Sequence, residues 1–83
     1  MEMRPRRSVY EIAWDILTYC GTPRRMSQIL LACNLNTKIA NKYIEMLIRK
    51  GLLAERDNMY VTTDRGHEYI RLFDELYKKI FEE

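Results

Sequence analysis

The sequence is poor in the residues that build most catalytic, metal-binding or disulfide-stapled sites. Its 83 residues hold one histidine, two cysteines (Cys20 and Cys33), three glycines and two prolines. Two cysteines exclude a multiply cross-linked scaffold and a four-cysteine zinc site. His67 has no cluster of ligand-type neighbours, so a surface position is expected for it and no metal. A Gly-rich phosphate loop is absent, and neither a Cys-His nor a Ser-His-Asp set can be assembled. No enzymatic activity, cofactor or small-molecule ligand is therefore expected. No apolar run approaches the ~20 residues that a bilayer span needs, which argues against a membrane partner. The opening stretch MEMRPRRSVYE has arginines but neither an apolar segment nor a small-residue cleavage site. It does not read as a secretory signal, and the expected location is cytoplasmic.

What is present is a globular composition, 47% hydrophobic and 31% charged. The length suits one domain with a small core of its own. The formal net charge is only +2, but its distribution is uneven: residues 1–50 carry +5 and residues 51–83 carry −3. Such asymmetry suggests an anionic partner for one end of the molecule, or simply a solvated basic face.

Residues 8–20 predict an amphipathic helix. Ser8 and Glu11 make a capping box, and Val9, Ile12, Ala13, Ile16, Leu17 and Cys20 recur at helical spacing. Trp14 falls at the rim of that apolar arc. Gly21 ends the helix and Pro23 cannot extend it. Residues 27–33 predict a short second helix with Ser27 near its cap and Asn34 as a left-handed stop. Asn36 then caps a third helix over 37–50, closed by Gly51. Its apolar side is Ile39, Ala40, Tyr43, Ile44, Met46, Leu47 and Ile48; its polar side is Lys38, Asn41, Lys42, Glu45 and Arg49. Residues 52–56 and 59–62 read as two short strands around a two-residue link, Asp57-Asn58. Thr63 caps a last helix that runs to residue 83, with Asp64 in its first turn.

Two helices joined by a short turn, the second with a basic outer side, form a helix-turn-helix. The second of the pair can enter a major groove about 12 Å wide. Thr37, Lys38, Asn41 and Lys42 are the side chains offered there, with Arg49 at the far end. The Asn41 amide can both donate to and accept from an adenine edge. Lys38 and Lys42 suit phosphates or guanine. Glu45 either repels backbone phosphate or accepts from a cytosine amino group. The competing interpretation is an ordinary solvated helix face.

The stretch Lys50-Gly51-Leu52-Leu53, followed by Tyr60-Val61-Thr62-Thr63-Asp64-Arg65-Gly66, resembles the K-G-L-[IL] … Y-x-[LIV]-T-x-x-G signature of winged helix-turn-helix domains. Residues 8–83 resemble the archaeal winged-helix DNA-binding proteins, some of which are small chromatin or transcription factors that dimerise through the C-terminal helix. The resemblance implies a mainly α fold with a small β-hairpin: a three-helix core, a wing and a dimerisation helix. It also implies a left-handed Gly51, a capping Thr63, and a Gly66 that lets the last helix approach the hairpin. Two departures stand out. Thr62 replaces an aliphatic residue and brings a hydroxyl that needs a partner. The wing tip, Glu55-Arg56-Asp57-Asn58, is nearly neutral, so only Arg56 is available for a phosphate or a minor groove.

The chain thus divides into a basic N-terminal arm (1–7), a winged helix-turn-helix domain (8–63) and a C-terminal amphipathic helix (64–83). Arg4, Arg6 and Arg7 of the arm either track phosphates or form a solubilising tail. Arg24 and Arg25, with Ser27, lie where the second helix would cross a DNA backbone. Tyr43 and Tyr60 could add hydroxyl donors to phosphate. The apolar arc of the last helix spans about 180° on a helical wheel, wider than one packing face needs. Its surplus suggests a homodimer, with Ile70, Phe73, Tyr77 and Ile80 as a seam and Trp14 and Phe81 beside it. Asp74–Lys78 and Glu75–Lys79 are placed for i,i+4 pairs. Cys20 and Cys33 are expected to be buried free thiols. The function expected is binding of double-stranded DNA as a transcription regulator or nucleoid factor. The alternative is a winged helix used for protein–protein contact in a transcription or replication assembly.

Overall fold

The computed structural model describes residues 8–81. Helix α1 (Val9–Tyr19) starts at the expected capping box: the Ser8 hydroxyl accepts from the Glu11 N–H at 3.1 Å, and the Glu11 carboxylate accepts from the Ser8 N–H at 3.2 Å. Helix α2 (Met26–Cys33) starts earlier than its sequence suggests. Arg25, not Ser27, occupies the N-cap position, and the Gln28 side chain accepts from the Arg25 N–H at 2.9 Å. Its glutamine at the third helical position ties down the cap backbone, so no serine is required there. Asn34 leaves α2 in the left-handed region (φ 55°). Helix α3 (Thr37–Arg49) is capped by Asn36, whose Oδ1 accepts from the Ile39 N–H at 2.8 Å. Gly51 takes φ 78° on the way out, a conformation that costs an L side chain energy.

Strands β1 (Leu53–Arg56) and β2 (Met59–Thr62) form an antiparallel pair in the register Leu53↔Thr62 to Arg56↔Met59. Asp57 (φ 52°) and Asn58 (φ 64°) make the two-residue link, both left-handed as a type I′ hairpin turn requires. A further pairing extends the sheet. Arg24 and Tyr60 exchange backbone hydrogen bonds of 2.9 and 2.7 Å, adding a one-residue third strand to β2. Arg24 sits in a connection with no alternating pattern, so nothing local marks it as strand. Helix α4 (Asp64–Phe81) completes the order.

The core gathers Ala13, Ile16, Leu17 and Cys20 of the α1 region, Ile29 and Cys33 of α2, Ile44 and Leu47 of α3, and Leu53 of β1. Full burial of each large aliphatic side chain contributes about 1.5–3 kcal/mol. Ile48 is the exception to the apolar side of α3: it is 36% exposed, beside the polar face. Both cysteines are buried and unlinked. Burial, then the neighbouring Cys33, pushes the Cys20 thiol from 9.0 up to about 12.

The C-terminal end of α1 depends on the hairpin. Its final carbonyls lack intrahelical partners, as at any helix end. The Thr62 hydroxyl donates to the Leu17 carbonyl at 2.6 Å, the Thr62 N–H to that of Cys20 at 2.8 Å, and the Arg24 Nε–H to that of Tyr19 at 2.9 Å. The hydroxyl of Thr62 thus has a structural partner. A second clasp joins the exit of α3 to the start of α4. The Thr63 hydroxyl donates to the Gly51 carbonyl at 2.7 Å and accepts from the Gly66 N–H at 3.1 Å. A Cβ on Gly66 would collide with the Leu52 carbonyl and the Thr62 side chain, so only glycine lets α4 pass so close to the hairpin.

Candidate nucleic-acid interface

The 3.6-residue period of α3 sorts its side chains into an inner set and an outer set. Ala40, Ile44 and Leu47 anchor the inner set in the core. Their burial leaves Thr37, Lys38, Asn41, Lys42, Glu45 and Arg49 exposed, with Ile48 at the margin. On a wheel of 100° per residue the outer set separates into two strips. Lys38, Lys42 and Arg49 make a cationic strip. Asn41, Glu45 and Ile48 make a strip that carries no cation. The sequence places Ile48 on the apolar side of α3; the structure turns it towards Asn41, because the core closes around Ala40 and Leu47 and does not reach that far round.

Helix α2 and the wing flank α3. Arg25 and Ser27 are exposed at the start of α2, and Arg56 is exposed beside the hairpin turn. Arg24 is half-buried. Besides its bond to Tyr19, its guanidinium lies 4.1 Å from the centre of the Tyr19 ring. Its Nε and its backbone are thus committed to the fold, a cation closing the negative end of α1. Tyr43 and Tyr60 are also half-buried. Burial, with Glu55 nearby, raises the Tyr60 phenol above its ordinary value, so it remains a neutral donor. Arg4, Arg6 and Arg7 lie outside the described residues.

The residues expected at a dimer seam divide in two. Trp14 and Ile70 are largely occupied by their own domain. The Trp14 indole N–H donates to the Asp74 carboxylate at 3.0 Å, its ring centre lies 6.0 Å from that of Phe73, and Ile70 packs on the core. Tyr77, Ile80 and Phe81 are exposed, and so are Leu72 and Leu76, which the seam named from sequence leaves out. The missed signal is the four-residue step Leu72–Leu76–Ile80. With Tyr10, Tyr69 and Phe73, the two leucines line a shallow apolar recess between α4 and the start of α1. The Tyr69 hydroxyl donates to the Tyr10 carbonyl across that junction at 3.0 Å. The i,i+4 pairs expected of Lys78 and Lys79 are replaced: Asp74 holds Trp14, and Glu75 pairs with Arg71, which also pairs with Glu68. Arg71 lies between Glu68 and Glu75 along the helix and holds both.

Among the described residues no cluster of His, Cys, Asp and Glu could hold a metal ion, and no helix is long and apolar enough to cross a membrane. No curated protein matches the sequence. A solved structure matches with a TM-score of 0.76 and 25% sequence identity, covering 87% of this chain and 80% of its own: Sso10a-2, a DNA-binding protein from Sulfolobus solfataricus. The family model described as winged helix-turn-helix matches residues 6–81. With three helices, a wing and a fourth helix in that order, the chain belongs to the winged helix-turn-helix family.

Proposed function

We propose that the protein binds double-stranded DNA by setting α3 in the major groove. The observation that carries this reading is the outer side of α3, where Thr37, Lys38, Asn41, Lys42 and Arg49 are all exposed on a helix anchored by its opposite side. In this reading Lys38, Lys42 and Arg49 neutralise phosphates and Asn41 meets a base edge. Arg25, Ser27, Arg56 and the Nη groups of Arg24 contact the flanking backbone. The likeness to a DNA-binding protein supports the same reading. Two copies pair through the exposed apolar side of α4, which offers two recognition helices to two half-sites. Its role in the cytoplasm is that of a transcription regulator or nucleoid factor.

A salt titration of duplex affinity tests the proposal. The logarithmic slope is expected near −0.9 per phosphate neutralised. Lys38→Ala should make it shallower by about one. Affinity that ignores salt and is unchanged by Lys38→Ala removes α3 as the contact helix. That result would favour the second reading, a protein-contact module, which draws support from Leu31 on α2, 86% exposed, and from the near-neutral wing tip.

A further inference from the structure

We infer that α3 reads sequence, and that Glu45 is the residue that sets specificity, selecting a cytosine. This rests on the duplex-binding reading of α3.

Glu45 stands at the middle of the exposed arc, with Asn41 and Ile48 on one side and Lys38, Lys42 and Arg49 on the other. Lys42 precedes it by three residues and Arg49 follows it by four, both at ion-pair spacing. Yet no ion pair or hydrogen bond of Glu45 occurs among the described residues, whereas Glu68 and Glu75 on α4 both hold Arg71. The carboxylate is therefore available at the apex of the surface offered to a duplex.

In that place it has a definite chemistry. An ionised carboxylate only accepts hydrogen bonds. Phosphates, guanine O6 and N7, and thymine O4 are acceptors too, and each repels it. Cytosine presents an N4 amino donor in the major groove and no acceptor of its own there, the guanine O6 beside it belonging to the paired base. Adenine offers an N6 donor but sets N7 next to it, a pattern that suits the donor-and-acceptor amide of Asn41 better. A helix that gripped any duplex equally would gain from a lysine here. A carboxylate lowers affinity for every sequence that lacks a donor opposite it, and returns that affinity where a cytosine stands. Ile48, one turn further on, offers an apolar contact of the kind a thymine methyl accepts.

Selection from randomised duplexes with wild type, Glu45→Gln and Glu45→Ala provides the test, with circular dichroism confirming that each exposed-site variant folds. Wild type should enrich cytosine at one fixed position by about fivefold or more over the other bases, the low end of one good base contact. Glu45→Ala should abolish that enrichment and bind random duplex more tightly. Glu45→Gln should move the preference from cytosine to adenine. Wild type that binds duplex without enriching cytosine, or variants that select the same site as wild type, would overturn the inference and leave duplex binding standing. A wild type that holds no duplex at low salt would overturn both.

Discussion

Thr62 stands at a strand position where an aliphatic side chain would fill the same space, and its hydroxyl is explained by the end of α1. Buried at 7% exposure, it donates to a helix-terminal carbonyl that has no partner within the helix. Thr62→Val keeps the shape and removes the donor. It should lower stability by about 1–3 kcal/mol, the cost of leaving a buried acceptor unsatisfied, measured by urea unfolding. Cys20 behaves as a small apolar group. Its thiol is pushed up to about 12 by burial, so it stays protonated near neutral pH, and alkylation with iodoacetamide at pH 8 should require unfolding first. The linkage has the sign of a raised pKa. The stabilising contribution of the neutral thiol is complete below its ordinary value of 9.0 and is lost as pH climbs from there towards 12. A pH series of unfolding midpoints for Cys20→Ala against wild type should converge across that window.

The elements owe their limits to a few positions with special backbone angles. Asn34, Gly51, Asp57 and Asn58 all have positive φ, and each ends a helix or turns the hairpin. Asn58→Val puts a β-branched side chain into the left-handed region and should cost about 1–2 kcal/mol. For a domain of this size that lowers the thermal midpoint by about 4–8 °C per kcal/mol, and Asn58→Gly should avoid the loss. These limits were legible in the sequence because they follow from local chemistry: a capping box at Ser8 and Glu11, an asparagine cap at Asn36, an asparagine and a glycine as helix stops. The Arg24–Tyr60 bridge was not legible. It joins residues 36 apart in the chain through backbone groups alone, and no side-chain pattern encodes it.

At the scale of the whole molecule, the unresolved demand is the apolar side of α4. Leu72, Leu76, Tyr77, Ile80 and Phe81 are all more than half exposed on one chain. A continuous apolar stripe of this kind marks an interaction surface. If a second copy covers it, sedimentation should give a particle of twice the 10.1 kDa of one chain. Leu76→Glu should return it to the mass of one chain while leaving the far-ultraviolet spectrum unchanged, because Leu76 is exposed within its own protomer. The same variant should weaken duplex affinity without altering which bases a single domain prefers, since the recognition helix is untouched.

The order of elements, the caps of α1 and α3, and the outward polar side of α3 were determined by sequence alone, because helical period, capping and turn chemistry act over a few residues. Which members of the wide apolar arc of α4 turn inward, that Ile48 joins the outer side of α3, and that Arg24 closes the end of α1 were decided only by tertiary packing. Each depends on where a partner element ends. A helical wheel ranks side chains around one axis and carries no information about how far the neighbouring layer reaches.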